Sequence, residues 1–306
     1  METPTRLERA PETLCDFAGH GDLWLKREDD NEIGVFKWRS TLPVVEAFVR
    51  DGDAAVVTAS TGNHGAAVAW ACREAGARAI VFVPPGAAQP KLANLARLGA
   101  DVRVAGRDLD EAKDAARAFA QDEGLRFFED GAEPLQYDAY EAIGDEIANR
   151  CPEVATVVTP IGNGALAAGV GAALRRRSPA ATHVGVVAKD MPVMAESHES
   201  GRPLELYNGA TIADGLAVRV AIPLAVERLQ DVVDRMILVS EREIAEALVA
   251  CHDAGVEVEP SAAAALAGAR HALEVPNGPC ALVLTGRNVD AALVERARRD
   301  LASFPD

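Results

Sequence analysis

Short runs of β-branched and aliphatic residues alternate along this chain with longer, alanine-rich amphipathic stretches. Residues 54–58 (AAVVT), 79–83 (AIVFV), 101–104 (DVRV), 156–159 (TVVT), 183–187 (HVGVV) and 280–284 (CALVL) have the length and composition of strands. Between them, 65–75, 90–98, 109–123 and 166–176 read as helices, each closing near a glycine or a basic cluster. This alternation predicts a parallel α/β architecture. No segment has the bias of an interdomain linker and no repeat recurs at a fixed period, so the domains are expected to interleave rather than follow one another. Residues 189–214 carry few signals of either kind and read as a long irregular loop, of the sort that more often serves function in an α/β chain.

Composition narrows the class. With 306 residues, 49% hydrophobic and 25% charged, the chain can bury a large core, and its length suggests roughly two domains. A formal net charge of −16 opposes phosphate backbones and anionic lipid surfaces, so neither nucleic-acid nor membrane binding is expected. Cys15, Cys72, Cys151, Cys251 and Cys280 are scattered without paired spacing, and residues 1–12 hold no apolar signal core; a reducing cytoplasm fits both. No uninterrupted apolar stretch reaches the ~20 residues of a membrane-spanning helix.

Ligands of open parallel sheets sit outside the carboxyl ends of strands, where helices begin. Three loops of small residues occupy such places. In PIGNGALAAGV, Gly162 and Gly164 let backbone N–H groups approach an anion and the following helix adds its positive end, which suits a phosphate and equally a tight strand-to-helix turn. The Lys-Ser/Thr of a P-loop is missing, which disfavours nucleotide hydrolysis. In TASTGNHG, Ser60, Thr61, Asn63 and backbone donors could grip a carboxylate and a ring hydroxyl, or simply cap a helix. In TGRNVD, Thr285 should stand at a strand tip with its hydroxyl available to a cofactor ring. His64 has no Asp or second His at triad or ligand spacing and reads as structural, so zinc and Ser-His-Asp chemistry find little support. Lys37, between Phe36 and Trp38 at a helix start, could snorkel to water or serve as a desolvated nucleophile; its neighbours leave both open.

Taken together, these segments resemble the fold-type II pyridoxal-phosphate enzymes, in particular the serine/threonine dehydratase and serine racemase group. Five ordered matches run nearly the whole chain. LWLKREDDNEIGVFKWRS is similar to the family's cofactor-lysine segment, TASTGNHGAAVA to its substrate loop and PIGNGALAAGV to its phosphate loop, with TIADGLAV and VEPSAAAALAG as two further signatures. The resemblance implies a two-domain, tryptophan synthase β-like α/β fold, each domain a mostly parallel sheet flanked by helices. A large domain of 1–51 plus 135–306 would carry a small mobile domain of 52–134, with the cofactor between them. It implies pyridoxal 5'-phosphate held as a Schiff base on Lys37 beside Phe36, with Asn63 at the ring hydroxyl, Gly162, Asn163, Gly164 and Ala165 at the phosphate, and Thr285 at the pyridine nitrogen. Ser60, Thr61, Gly62, Asn63 and His64 would meet the substrate. A neutral hydroxyl at the ring nitrogen makes a weaker electron sink than a carboxylate would, which favours elimination over transamination. The implied reaction is that of an ammonia-lyase acting on a small β-hydroxy amino acid of the L-threonine or L-serine type: Lys37 removes the Cα proton, the β-hydroxyl leaves as water, and a 2-oxo acid and ammonia result. A cytoplasmic homodimer is implied as well.

Departures from the family pattern shape the alternatives. The phosphate loop reads Gly-Asn-Gly-Ala rather than four glycines, which suits a phosphate if Asn163 and Ala165 present backbone N–H groups. Thr61 stands where the racemases place a second serine as opposite-face acid/base; its methyl crowds the hydroxyl, so racemisation is the weaker alternative. Ala188 and Lys189 stand where related enzymes bind a divalent cation through a glutamate, and no metal site is expected. Ala139-Tyr140-Glu141-Ala142 replaces the dehydratases' Gly-Gln-Gly-Thr and is closer to threonine synthases, which keeps a β-replacement or threonine synthase-like enzyme as an alternative. Arg287 replaces a glycine beside Thr285 and is a candidate for an acidic substrate tail or a solvated loop arginine. A chain ending at Asp306 lacks the C-terminal regulatory domain of biosynthetic threonine dehydratases, so feedback through it is not expected. The weakened glycine loop also allows a catalytically silent binding protein.

Overall fold

The apolar runs form strands, most of them buried over most of their length, while the run at 101–104 forms a strand with no buried position. A computed structural model describes residues 4–206, 209–272 and 278–306. Its strands are β1 (Leu7–Arg9), β2 (Leu23–Arg27), β3 (Ala55–Ala59), β4 (Arg78–Val83), β5 (Asp101–Val104), β6 (Arg126–Phe127), β7 (Thr156–Pro160), β8 (Thr182–Ala188), β9 (Arg235–Val239) and β10 (Cys280–Leu284). β3, β7 and β10 are buried at every position, the pattern of parallel strands covered by helices on both faces. The described residues separate into two compact units, Met1–Phe36 with Tyr140–Asp306, and Lys37–Ala139.

The first unit holds a six-stranded sheet in the order β1-β2-β10-β7-β8-β9, parallel except for the β1–β2 pair. Its core helix is Pro260–Ala269, PSAAAALAGA, which has no polar stripe and is buried at every residue, packing on β7, β8 and β10. The VEPSAAAALAG signature is therefore in large part a packing device. The second unit holds a four-stranded, all-parallel sheet in the order β5-β4-β3-β6. Helix Trp38–Arg50 buries Thr41, Val44, Val45 and Phe48, an i, i+3, i+4, i+7 stripe, and packs on helix Asn63–Ala75. Helix Leu109–Asp122 buries Ala112, Ala116 and Ala120 and packs on β3 and β4.

Segment 189–214 is a correction to the sequence reading. It contains helix Val193–Ser200, ended by Gly201 in the left-handed region at φ 66°, and leads into a short 3-10 turn, Asp214–Leu216; Tyr207 and Asn208 lie outside the described residues. An eight-residue helix whose buried side chains cluster at Val193–Ser197 gives no helical period over a longer window. β2 is hidden for a different reason. Its Lys26 is fully buried, an improbable core residue until Glu28 at 3.1 Å, Glu146, and the Thr5 carbonyl at 3.1 Å are seen around it. No helix among the described residues is long and apolar enough to cross a membrane.

Candidate active site

Lys37 is the N-cap residue of helix Trp38–Arg50, and its carbonyl accepts from the Thr41 hydroxyl at 2.8 Å. The side chain does not snorkel. It is 14% exposed, and its Nζ donates to Asp130 Oδ2 at 2.7 Å. Asp130 lies just past β6, and the same carboxylate accepts from Gln136 Nε2 at 3.2 Å and lies 3.6 Å from His64 Nδ1. Burial alone would raise the Asp130 carboxyl, but the Lys37 ammonium, His64 and the hydrogen bonds from Lys37 and Gln136 outweigh it and hold the group well below the usual carboxylate range. Burial pushes His64 down, assisted by Lys37 and opposed by Asp130. Its ring stands edge-on to Phe128 at 4.9 Å, and Nε2 lies 3.4 Å from the Phe128 carbonyl.

Ser60, Thr61, Gly62, Asn63 and His64 make one turn from the tip of β3 into helix Asn63–Ala75. Gly62 is the N-cap and no side chain caps the helix; the Ser60 hydroxyl instead accepts the Gly62 N–H at 3.1 Å. Ordinary side-chain capping thus does not account for this cluster of polar residues.

In the first unit, Thr285 follows β10 directly, and its carbonyl accepts the Phe36 N–H at 2.9 Å. The segment before Lys37 is laced to the β10 tip by Glu28 N–H to Leu284 O at 3.1 Å, Arg287 N–H to Gly34 O at 3.0 Å and Asn288 Nδ2 to Ile33 O at 3.0 Å. Arg287 completes the lacing. Its guanidinium donates to the carbonyls of Asp29 at 2.6 Å and Asn31 at 3.0 Å, so this arginine is engaged by the loop that leads to Lys37. The Thr285 hydroxyl is buried with no hydrogen-bond partner among the described residues.

The signatures far apart in sequence continue from there. Glu259 N–H donates to Gly286 O at 2.9 Å, Ser261 Oγ accepts the Gly215 N–H at 2.9 Å, and Gly162 abuts Gly215 so closely that a methyl on Gly162 would run into the Gly215 carbonyl. Gly164 sits at φ 93°, which a side chain would strain, and opens the 13-residue helix Ala165–Arg177. One N–H of this loop is occupied: Ala165 N–H donates to Asn163 Oδ1 at 3.1 Å. A bound phosphate would compete with that side chain.

The match to the family of pyridoxal-phosphate dependent enzymes extends over residues 1–286. The chain belongs to that family. Among its relatives, the L-threonine ammonia-lyase of Thermotoga maritima is 32% identical over 285 residues, 92% of this chain and 71% of that protein. The processed form of threonine deaminase isoform 2 from Solanum lycopersicum superposes with a TM-score of 0.92 at 29% identity, covering 98% of this chain and 88% of that one. Maize serine racemase superposes with a TM-score of 0.88 at 24% identity, covering 98% and 93%, a likeness of fold.

The residues present fit the family's cofactor. A buried hydroxyl without a partner suits a pyridine nitrogen, and a Cβ-free turn at a helix N-terminus suits a phosphate. β8 ends on the buried methyl of Ala188, and no group of three His, Cys, Asp or Glu side chains stands together as a metal site among the described residues. Tyr140 is buried with its ring 5.2 Å from Phe36, while Glu141 pairs with Arg176 at 2.7 Å. Asp130 and Gln136 were invisible to motif reading because Asp130 is 93 positions from its lysine. A signal did exist: an acidic residue just beyond the carboxyl end of a short parallel strand.

Proposed function

We propose that this chain is a pyridoxal-phosphate-dependent ammonia-lyase that converts a small β-hydroxy amino acid of the L-threonine or L-serine type to a 2-oxo acid and ammonia. The observation that carries the reading is Thr285: at the β10 tip its neutral, buried hydroxyl has no hydrogen-bond partner among the described residues and is available to a ring nitrogen. The name borne by the relative from Thermotoga maritima points the same way.

In this reading Lys37 Nζ attaches the cofactor, Phe36 flanks it, Asn63 serves the ring hydroxyl, and Gly162 to Ala165 offer backbone N–H groups to the phosphate. Ser60, Thr61 and Gly62 receive the substrate carboxylate, with His64 behind them. When bound, the cofactor supplies an electron sink for the bonds at the substrate's Cα. Lys37, once its nitrogen is free, takes the Cα proton, and the β-hydroxyl departs with a proton as water. Hydrolysis of the resulting C=N bond takes one water back and releases ammonia, so the balance is amino acid to 2-oxo acid plus ammonia. Thr285 leaves the ring nitrogen without an enforced positive charge, which favours loss of the β-substituent over transfer of the amino group. Cys72, Cys251 and Cys280, free thiols pushed up to about 12 by burial, suit a reducing cytoplasm, and a homodimer is the working assembly we adopt.

Incubation of the holoenzyme with L-threonine, L-serine and β-hydroxyaspartate should release 2-oxo acid and ammonia in equal amounts. Lys37→Ala should lose both the turnover and the visible absorption of the bound cofactor. Absence of oxo acid from all three substrates would sink the proposal. A β-replacement synthase is the second reading, favoured by Tyr140 packed against Phe36 in a segment unlike that of the dehydratases; its mark is an amino-acid product formed without ammonia.

A further inference from the structure

Asp130 is absent from every motif that led to the site, yet the second unit is built to present it. Its loop is fixed on each side. The Thr58 hydroxyl donates to Phe128 O at 2.8 Å, Tyr137 Oη donates to Gly131 O at 2.7 Å, and Gln136 accepts the Gly131 N–H through Oε1 at 2.8 Å while donating to Asp130 Oδ1 at 3.2 Å. The remaining oxygen, Oδ2, is left for Lys37 at 2.7 Å. A surface ion pair tolerates many geometries; this one joins a side chain 14% exposed to a carboxylate 28% exposed whose loop has little freedom.

We propose that Asp130 is a positioning residue for Lys37: it holds the protonated lysine as an ion pair in the cofactor-free protein, and again once the lysine has taken the substrate proton, and so sets how readily that nitrogen attacks a carbonyl. The inference rests on Lys37 being the cofactor lysine. Attack on a carbonyl needs an uncharged nitrogen with its lone pair free, and the attraction to Asp130 must be broken first. In turnover the same carboxylate gives the displaced lysine a fixed place to return to, close to where it acts.

The test follows loading of cofactor-free protein at one neutral pH. Pyridoxal phosphate and pyridoxal are mixed with the protein, the rise of visible absorption is timed, and borohydride trapping with peptide mass spectrometry locates the adduct. Asp130→Asn should raise the second-order loading rate at least ~10-fold with both aldehydes, since loss of an opposite charge this close changes the balance by that order. An equal gain with pyridoxal, which has no phosphate, places the effect at the amine. Asp130→Glu should restore the wild-type rate, as a merely structural role would not require. An unchanged or slower rate in Asp130→Asn of wild-type thermal stability overturns the proposal. Asp130→Ser is read the same way if Asp130→Asn misfolds, and misfolding of both also overturns it, because the pair is then structural. An adduct on a lysine other than Lys37 in the wild-type protein refutes the cofactor-lysine reading itself, a distinct outcome.

Discussion

Thr285→Val should stabilise the cofactor-free protein and weaken cofactor binding. Thr285 is 3% exposed and its Oγ1 has no partner among the described residues, so the folded chain without cofactor bears the cost of a buried, unsatisfied hydroxyl. That cost is about 1–3 kcal/mol. Valine keeps the shape and removes the hydroxyl, and for a chain of this size the gain corresponds to a rise in Tm of about 2–6 °C. Once a ring nitrogen pairs with the hydroxyl the cost disappears, so the wild-type holoenzyme recovers what the cofactor-free protein lacks. The variant has nothing to recover. Its affinity for pyridoxal phosphate should therefore fall by the same 1–3 kcal/mol, roughly 5- to 150-fold. Thermal scans with and without cofactor, together with an absorbance titration, measure both halves of the cycle. Thr285→Ser is the control: it keeps the hydroxyl, and its cofactor affinity should stay close to wild type although the lost methyl lowers its Tm. A Thr285→Val protein that melts below wild type without cofactor would refute the reasoning, because the hydroxyl would already be satisfied.

Arg287→Ala removes two charge-assisted hydrogen bonds to the Asp29 and Asn31 carbonyls and should cost about 2 kcal/mol in denaturant unfolding, while loosening the cofactor through the loop that leads to Lys37. Wild-type stability in that variant would make Arg287 a solvated loop residue. His183, buried between Thr159 Oγ1 at 3.0 Å and Val232 O at 2.9 Å, is pushed down to about 4 from 6.5 by burial. The unfolded chain therefore takes its proton first as the pH falls, so this contribution is complete above about 6.5 and is lost on the way down to about 4, a total of about 3 kcal/mol. His183→Gln should flatten the stability profile over that interval, and an unaltered slope would assign the acid sensitivity to other groups.

The strands most legible in the sequence were those with no polar face, such as β3, β7 and β10, because covered parallel strands leave continuous apolar runs. β9 has Arg235 and Met236 half-buried and Leu238 exposed, so it offers a weaker run. β2 conceals a charge whose partners come from residues 5, 28 and 146, a grouping that no local window contains. The same limit applies at the site. Ser60 to His64, Gly162 to Ala165 and Thr285 announce themselves by small and polar residues at strand tips, where backbone geometry is local. The carboxylate on Lys37 and the guanidinium clamp of Arg287 depend on pairings across 93 and 258 positions, and composition around each residue says nothing of them. Asn163 shows a finer limit: the loop pattern offers its backbone N–H to a phosphate, but says nothing of its side-chain oxygen, which accepts the Ala165 N–H.

Phe36 is the last residue of the first unit before the chain departs, and Tyr140 is the first after it comes back; their rings lie 5.2 Å apart. The large unit is therefore interrupted at a single spot, and the 103-residue excursion from Lys37 to Ala139 leaves and re-enters through neighbouring doorways. An insertion with adjoining ends asks little of its host, whose sheet keeps its strand order around the gap. The lysine, however, is the first residue of the excursion. Architecture and proposed chemistry are thus divided differently: along the chain, the residues proposed for the phosphate and the ring nitrogen belong to the host, and the lysine proposed to attach the cofactor belongs to the guest.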